Sequence, residues 1–214
     1  MRVLIAIPTF ENISPDTFKS VYDMDKGGHE CMFEFVRGHD CAAARNKIAD
    51  KALGLEAEWL FMVDGDVTVP QDALLNLLSH DVDCVSGYYL RRREDNLPSG
   101  LTCAHKLLDA NGREHFNYTL ENSYAADELA EMRGRGECLV EAHGFGMGCV
   151  LVRADVFNRV RYPWFKWVNY ENEKRTVLTE DYYFCEELRK AGIKRYVDTR
   201  VACGHMFRRI EEAN

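Results

Sequence analysis

The sequence predicts an α/β fold, a three-layer arrangement with helices on both faces of a mostly parallel sheet. Two observations carry the prediction. Apolar runs of strand length, such as Trp59-Leu60-Phe61-Met62-Val63, are hydrophobic throughout, as in strands buried on both faces. Such runs alternate with helix-like segments over roughly the first ninety residues, the pattern of βαβ units. The length of 214 residues, with 46% hydrophobic and 29% charged, fits one domain built on a single sizeable core.

Taken in order, a first strand over 3–7 ends at Pro8-Thr9-Phe10-Glu11-Asn12. Ser14-Pro15-Asp16 then offers an N-cap with proline at the first helical position, opening a helix to about Val21. Gly27-Gly28 interrupts the chain before a second strand over 31–36 and the loop Arg37-Gly38-His39-Asp40. A helix follows over 41–55, with Ala42, Ala44, Ile48, Ala49, Ala52 and Leu53 facing inward. After the strand over 59–63, a helix starts at Val69-Pro70-Gln71-Asp72 and runs to about Leu78, and a fourth strand covers 82–89.

The rest is less regular. Asp109-Ala110-Asn111-Gly112 predicts a hairpin turn between arms over 103–108 and 115–118. The charged stretch 121–135 fits either a mobile loop or a short helix. Strands over 139–142 and 148–152 flank the glycine-rich bend His143-Gly144-Phe145-Gly146-Met147-Gly148, and a helix continues over 154–160. Thr179-Glu180-Asp181 opens a helix to about Ala191, Gly192 ends it, and a last strand over 195–198 leads to Gly204-His205.

Composition excludes several classes. A net charge of −8 argues against broad electrostatic binding to nucleic acid or anionic lipid. The eight cysteines contain no C-x-x-C pair, which excludes a zinc ribbon or finger. The segment before Pro8 is too short and too soon interrupted for a signal peptide, so reduced thiols in a cytoplasmic protein are expected. Apolar runs are strand-sized, and no membrane span is expected.

Ligands of open α/β sheets bind outside the carboxyl ends of the strands. Asp64-Gly65-Asp66 stands at such an end, where Gly65 would allow a sharp turn or a close approach to a ligand. Two carboxylates so placed repel unless a cation offsets them, and a hard divalent ion bridging to phosphate would do so. A solvated acidic turn is the alternative reading of those three residues alone. The glycine-rich bend lacks the lysine and Ser/Thr of a phosphate loop, and it precedes a strand.

Pro8-Thr9-Phe10, Ala44-Arg45-Asn46, Asp64-Gly65-Asp66, Thr179-Glu180-Asp181 and Gly204-His205 form one ordered set. With them the whole chain resembles the GT-A glycosyltransferases, closest to the family-2-like group with its small bacterial and phage members. The resemblance implies a single GT-A domain over 1–214. Its nucleotide-sugar-binding half would be about 1–92, and its acceptor-side half, with base and metal histidine, about 93–214. It implies a metal-dependent hexosyl- or pentosyl-transferase, using Mn²⁺ or Mg²⁺ and a UDP- or GDP-sugar, with inversion.

The roles follow by the same resemblance. Asp66 would be the direct metal carboxylate and His205 the C-terminal metal histidine, which leans the preference towards Mn²⁺. Asp64 would contact ribose or sugar, or reach the metal through water. Asp181 would be the catalytic base, with Glu180 raising the pKa of the pair or positioning the acceptor. Arg45 would bind the phosphates; Pro8, Thr9, Glu11 and Arg37 would line base and ribose; Gly146 would let the backbone pass close to the donor sugar. Arg37-Gly38-His39-Asp40 departs from the Asp-Gly-Ser-like turn of many members, which leaves the base open. The acceptor would be a hydroxyl of a glycan or small molecule, or alternatively of a modified base in phage DNA, for which Arg91, Arg92, Arg93, Arg208 and Arg209 argue. A nucleotidyltransferase would need a glycine- and basic-rich loop after the first strand, which is missing. A non-catalytic sugar-nucleotide-binding module would have no use for a base. Trp164, Phe165, Trp167 and Tyr170 form an aromatic cluster that fits sugar stacking and core packing equally.

Overall fold

The structure, a computed structural model, describes residues 1–10, 12–92, 98–107, 118, 120–169 and 176–206. The elements of the first half are β1 (Arg2–Thr9), α1 (Pro15–Asp23), β2 (Glu30–Arg37), α2 (Cys41–Gly54), β3 (Trp59–Val63), β4 (Val67–Thr68), α3 (Ala73–Leu78) and β5 (Cys84–Tyr88). Those of the second are β6 (Leu90–Arg92), β7 (Pro98–Lys106), β8 (Ser123–Ala125), α4 (Ala126–Gly134), β9 (Leu139–Phe145), β10 (Cys149–Arg153), α5 (Val156–Arg159), β11 (Val168–Asn169), β12 (Thr176–Leu178), α6 (Glu180–Lys190), β13 (Tyr196–Ala202) and β14 (Gly204–His205).

One sheet in the order β2-β1-β3-β10-β5-β13-β9-β7-β6 runs through both halves of the chain, with β8 branching from β7. Strands β2, β1 and β3 are parallel neighbours, as are β5 and β13. Strand β10 enters antiparallel between β3 and β5, so the two parallel blocks meet through a strand from the far half of the sequence. The alternation of side chains sorts each buried strand into two cores. Leu4, Ala6, Leu60 and Met62 face the core that α2, α5 and α6 cover, through Ile48, Phe157 and Phe184. Val3, Ile5, Ile7, Phe61 and Val63 face the one covered by α1 and α3, through Val21, Met24, Leu74 and Leu77. This is the expected three-layer α/β arrangement.

Local chemistry explains the helix starts. Ser14 Oγ accepts from Asp16 N at 3.3 Å with Pro15 next, and Asp40 Oδ1 accepts from Ala42 N at 3.0 Å and Ala43 N at 3.1 Å. Two helices are shorter than predicted: α3 begins at Ala73 rather than Val69, and α5 is a single turn over Val156–Arg159. Val69 is buried, its N–H given to Ser20 Oγ at 3.1 Å, so the chain there packs on α1 instead of coiling. The charged stretch 121–135 is ordered, as β8 followed by α4, because Leu129 is fully buried and holds the helix down. Of the arm expected over 103–108, residues 103–106 belong to the longer β7, while residue 108, the turn 109–112 and residues 115–117 lie outside the described residues. Trp164 and Phe165 settle as core, Trp164 edge-on to Phe157 and Phe165 tilted against Phe184; Trp167 is exposed, and Tyr170 lies outside the described residues.

Candidate functional site

The strand ends gather the predicted residues. Thr9 closes β1 and Arg37 closes β2 directly beside it, and Gly38 N donates to Thr9 O at 3.2 Å. Thr9 Oγ1 donates to Asn12 O at 2.7 Å, which folds the segment after β1 back on itself. Pro8 lies within β1, paired with Val36, and Glu11 lies outside the described residues. Strand β3 ends one residue before Asp64, whose N–H goes to Gly148 O at 3.0 Å and whose carbonyl accepts from Val67 N at 3.0 Å. The acidic pair therefore forms a tight turn. Gly65 is outside the left-handed region, so no special φ calls for glycine; a Cβ there would sit 3.5 Å from Asn12 O and 3.7 Å from Thr9 Oγ1. Its carbonyl instead takes Ser14 N at 2.8 Å, binding the turn to the start of α1.

The two carboxylates point to different partners. Asp64 Oδ1 accepts from Arg45 Nη2 at 2.6 Å, while Arg45 Nη1 donates to Glu180 Oε1. Arg45 is 2% exposed. The expected contact with phosphates is thus corrected: the guanidinium is spent inside the protein, bridging the end of β3 to the first residue of α6. Burial, only partly offset by Arg45, pushes Glu180 up to about 7, with the like charges of Asp181 and Asp64 adding to the rise. Burial raises Asp64 as well, against the pull of Arg45. The mutual influence of Asp64, Asp181 and Glu180 places all three in one electrostatic neighbourhood.

Asp181 stands in the first turn of α6, where a carboxylate is favoured by the helix dipole. Its Oδ1 accepts from Thr179 Oγ1 and from Tyr182 N at 2.8 Å. Thr179 consequently makes no side-chain cap to the helix backbone. Two donors on Oδ1 fix the carboxylate and leave Oδ2 without a hydrogen bond among the described residues.

Asp66 faces the other way, towards the C-terminal part of the chain. Strand β14 pairs antiparallel with β4, setting His205 opposite Val67, and Met206 N donates to Asp66 O at 2.9 Å. His205 Nε2 lies 3.7 Å from Asp66 Oδ2. Leu90 O is 2.8 Å from His205 Nδ1 and can only accept, so Nδ1 carries a proton. Nε2 is the nitrogen turned towards Asp66, donating to it when the ring is charged and bearing a lone pair when it is neutral. Tyr89 braces the imidazole edge-on at 5.0 Å. Burial opposes ionisation of Asp66, yet the hydrogen bonds and charges of His205 and Arg92 outweigh it and hold the carboxyl below its ordinary value.

These donors fit a divalent ion. Metal-ligating histidines commonly give their other N–H to a backbone carbonyl, as His205 does to Leu90. Two ligands with bonds of roughly 2.1 Å lie about 3.0–3.6 Å apart at angles of 90–120°, close to the observed separation. Among the described residues no three His, Cys, Asp or Glu side chains converge as a ready cage. Asp64, committed to Arg45, does not join Asp66 and His205. A site with few protein ligands is the kind that substrate phosphates and water complete.

Other expectations are redrawn by packing. A Cβ on Gly146 would fall 2.4 Å from Tyr89 Oη, and one on Gly148 2.7 Å from the same ring. Tyr89 Oη accepts from Gly148 N at 3.0 Å, so the glycine-rich bend is shaped to hold Tyr89 behind His205 rather than to admit a ligand at Gly146. Glu141 pairs with Lys194 at 2.9 Å, and His143 is buried 3.5 Å from Glu186. Asn46 clamps the 164–165 loop: its Oδ1 accepts from Trp164 N at 3.1 Å and its Nδ2 donates to Phe165 O at 2.7 Å. One site member was read from the sequence only as part of an arginine run suited to DNA, and its place beside the acidic turn was missed: Arg92 donates to Asp66 Oδ2 and to Met206 O at 2.8 Å. The arginine run after the fourth strand was its only signal.

No protein-family model and no curated protein sequence matches the chain. Among solved structures it is similar to A197 from STIV, with a TM-score of 0.62 at 17% identity over 98% of this chain and 87% of that one. It is also similar to GalNAc-T7 with UDP, GalNAc and Mn²⁺, with a TM-score of 0.62 at 14% identity over 96% of this chain and 44% of that one. At such identities the likeness is one of fold, and the fold is that of the GT-A glycosyltransferases.

Proposed function

We propose that the chain is a metal-dependent glycosyltransferase, one domain over 1–214, moving a hexosyl or pentosyl group from a UDP- or GDP-sugar to an acceptor hydroxyl with inversion. The observation that carries this reading is Asp181: its Oδ1 is fixed by Thr179 and Tyr182 N, and it is tied through Glu180, Arg45 and Asp64 to the turn that holds Asp66. The UDP and Mn²⁺ in the GalNAc-T7 structure support the donor class and the metal.

Asp66 and His205 would hold Mn²⁺ or Mg²⁺, which as a Lewis acid stabilises the charge developing on the departing diphosphate. Pro8, Thr9, Arg37 and Gly38 would line the base and ribose at the ends of β1 and β2. Asp64, its Oδ1 held by Arg45, would offer Oδ2 to the ribose or to water. Asp181 Oδ2 takes the proton of the acceptor hydroxyl as that oxygen attacks the anomeric carbon. Glu180 would anchor the start of α6, and with it the neighbouring base, by its bond to Arg45 rather than meet the acceptor. The acceptor is proposed to be a glycan or small molecule rather than a modified base in DNA. The net charge of −8 opposes DNA, and Arg91 and Arg92 are turned to Ser123 and Asp66. Arg93, Arg208 and Arg209 lie outside the described residues. No helix among the described residues is long and apolar enough to cross a membrane.

A thermal-shift screen of UDP-, GDP-, dTDP- and CMP-sugars with Mn²⁺ identifies the donor, since a bound ligand raises the melting temperature by mass action. With that donor, Asp181→Asn is expected to retain binding and lose transfer by about 10²–10⁴-fold. Asp66→Asn is expected to lose metal-dependent turnover. Proton NMR of early product reads the configuration, and retention would remove Asp181 as the base.

A further inference from the structure

We propose that Arg92 is a built-in competitor for the divalent ion at Asp66, releasing the carboxylate when metal binds and passing to the donor's diphosphate; this rests on the metal assignment above. The geometry is specific. One nitrogen, Arg92 Nη2, donates to Asp66 Oδ2 and to Met206 O. The same Oδ2 is the oxygen nearest His205 Nε2. The guanidinium and a metal ion bridging Asp66 to His205 therefore claim the same carboxylate oxygen.

The Arg92 side chain is 37% exposed and that of Asp66 44%, so water can replace either bond as it breaks. Both partners can part at small cost. Compare Arg45, which has no such route out. A displaced Arg92 has one obvious destination: a diphosphate brings negative charge to the metal, and a guanidinium is suited to bidentate phosphate recognition. Metal alone must displace Arg92 without compensation, whereas metal arriving with a diphosphate gives it a new partner. The result is coupling between the two ligands, reciprocal by thermodynamic necessity. Arg92 would thus weaken the affinity for free metal and strengthen that for the metal–nucleotide pair.

The test is calorimetric titration of the full chain with Mn²⁺ alone, then with Mn²⁺ in the presence of saturating UDP, for the wild type, Arg92→Gln, Arg92→Lys and Asp66→Asn, with circular dichroism confirming the fold of each. Removing an exposed ion-pair partner predicts that Arg92→Gln binds Mn²⁺ alone about three- to fivefold more tightly. The gain in Mn²⁺ affinity that UDP brings should shrink by at least the same factor, and Arg92→Lys should fall between wild type and Arg92→Gln on both readouts. Unchanged or weaker Mn²⁺ binding in Arg92→Gln overturns the competition. An undiminished UDP effect overturns the transfer to diphosphate. If Asp66→Asn binds Mn²⁺ as the wild type does, the metal assignment itself falls. Loss in Asp66→Asn with no change in Arg92→Gln removes only this inference.

Discussion

Asp64 and Asp66 are two residues apart, and each is paired with one arginine, yet the two pairs are built for different work. The Arg45 side chain is 3% exposed, and its guanidinium joins Asp64 to Glu180, itself 6% exposed. Arg92, at 37%, reaches Asp66 from the solvent side. Taking an arginine out of water costs several kcal/mol, repaid only where its partners are fixed around it, so Arg45 cannot be traded for a ligand. Arg92 sits in screened surroundings where partners exchange cheaply. Burial, more than residue type, separates an arginine locked between its partners from one able to exchange them.

The largest expected effect breaks the buried pair. Arg45→Met leaves Asp64 and Glu180 without their counter-charge, and urea denaturation is expected to show a loss of about 3–5 kcal/mol. A loss below about 1 kcal/mol would show that the bridge does not hold α6 to the turn after β3.

A subtler change keeps the arginine and alters its partner. Glu180 is pushed up to about 7 in the folded protein from an ordinary 4.5, so between those values the folded state holds a proton that the unfolded chain releases. Its contribution to stability is therefore full below about pH 4.5 and declines as pH rises towards 7. Glu180→Gln removes that decline. The stability of the variant relative to wild type should climb from pH 5 to pH 8, by at most about 3 kcal/mol, as read from paired denaturation curves. Comparing the two proteins at each pH cancels His143, whose buried ring is shifted down and whose effect runs the opposite way. A flat difference across the range would mean that Glu180 is an ordinary carboxylate.

The smallest effect belongs to the open pair. Arg92→Gln is expected to change stability by no more than about 1 kcal/mol in the absence of metal, measured in the same urea titration. A cost comparable to that of Arg45→Met would erase the distinction between the two arginines.

Much of the first half of the chain is legible in the sequence because its signals are local. The unbroken apolar run 59–63 can only be a strand wetted on neither face, and Ser14-Pro15 marks a helix start by its own hydrogen bond. The position of Asp64 and Asp66 at a strand end follows from that run alone. The second half resisted such reading. Strand β10 resembles any buried strand in composition, and nothing within it says that it inserts antiparallel between β3 and β5. The glycine-rich bend has the look of a ligand loop, but its glycines answer to Tyr89, a residue on another strand end. Trp164 and Phe165 offered stacking or core, and only Phe157 and Phe184 chose between them.

The sequence by itself therefore determined the α/β class, the strand end where the acidic pair turns, and the presence of a carboxylate in the first turn of α6. These depend on hydrophobic periodicity and caps, which act over a few residues. Tertiary structure alone decided which carboxylate belongs to which arginine: Arg45 to Asp64 and Glu180, Arg92 to Asp66 beside His205. The strength of a charge pair depends on desolvation and distance between groups far apart in the chain, and both come into being only when the sheet is assembled.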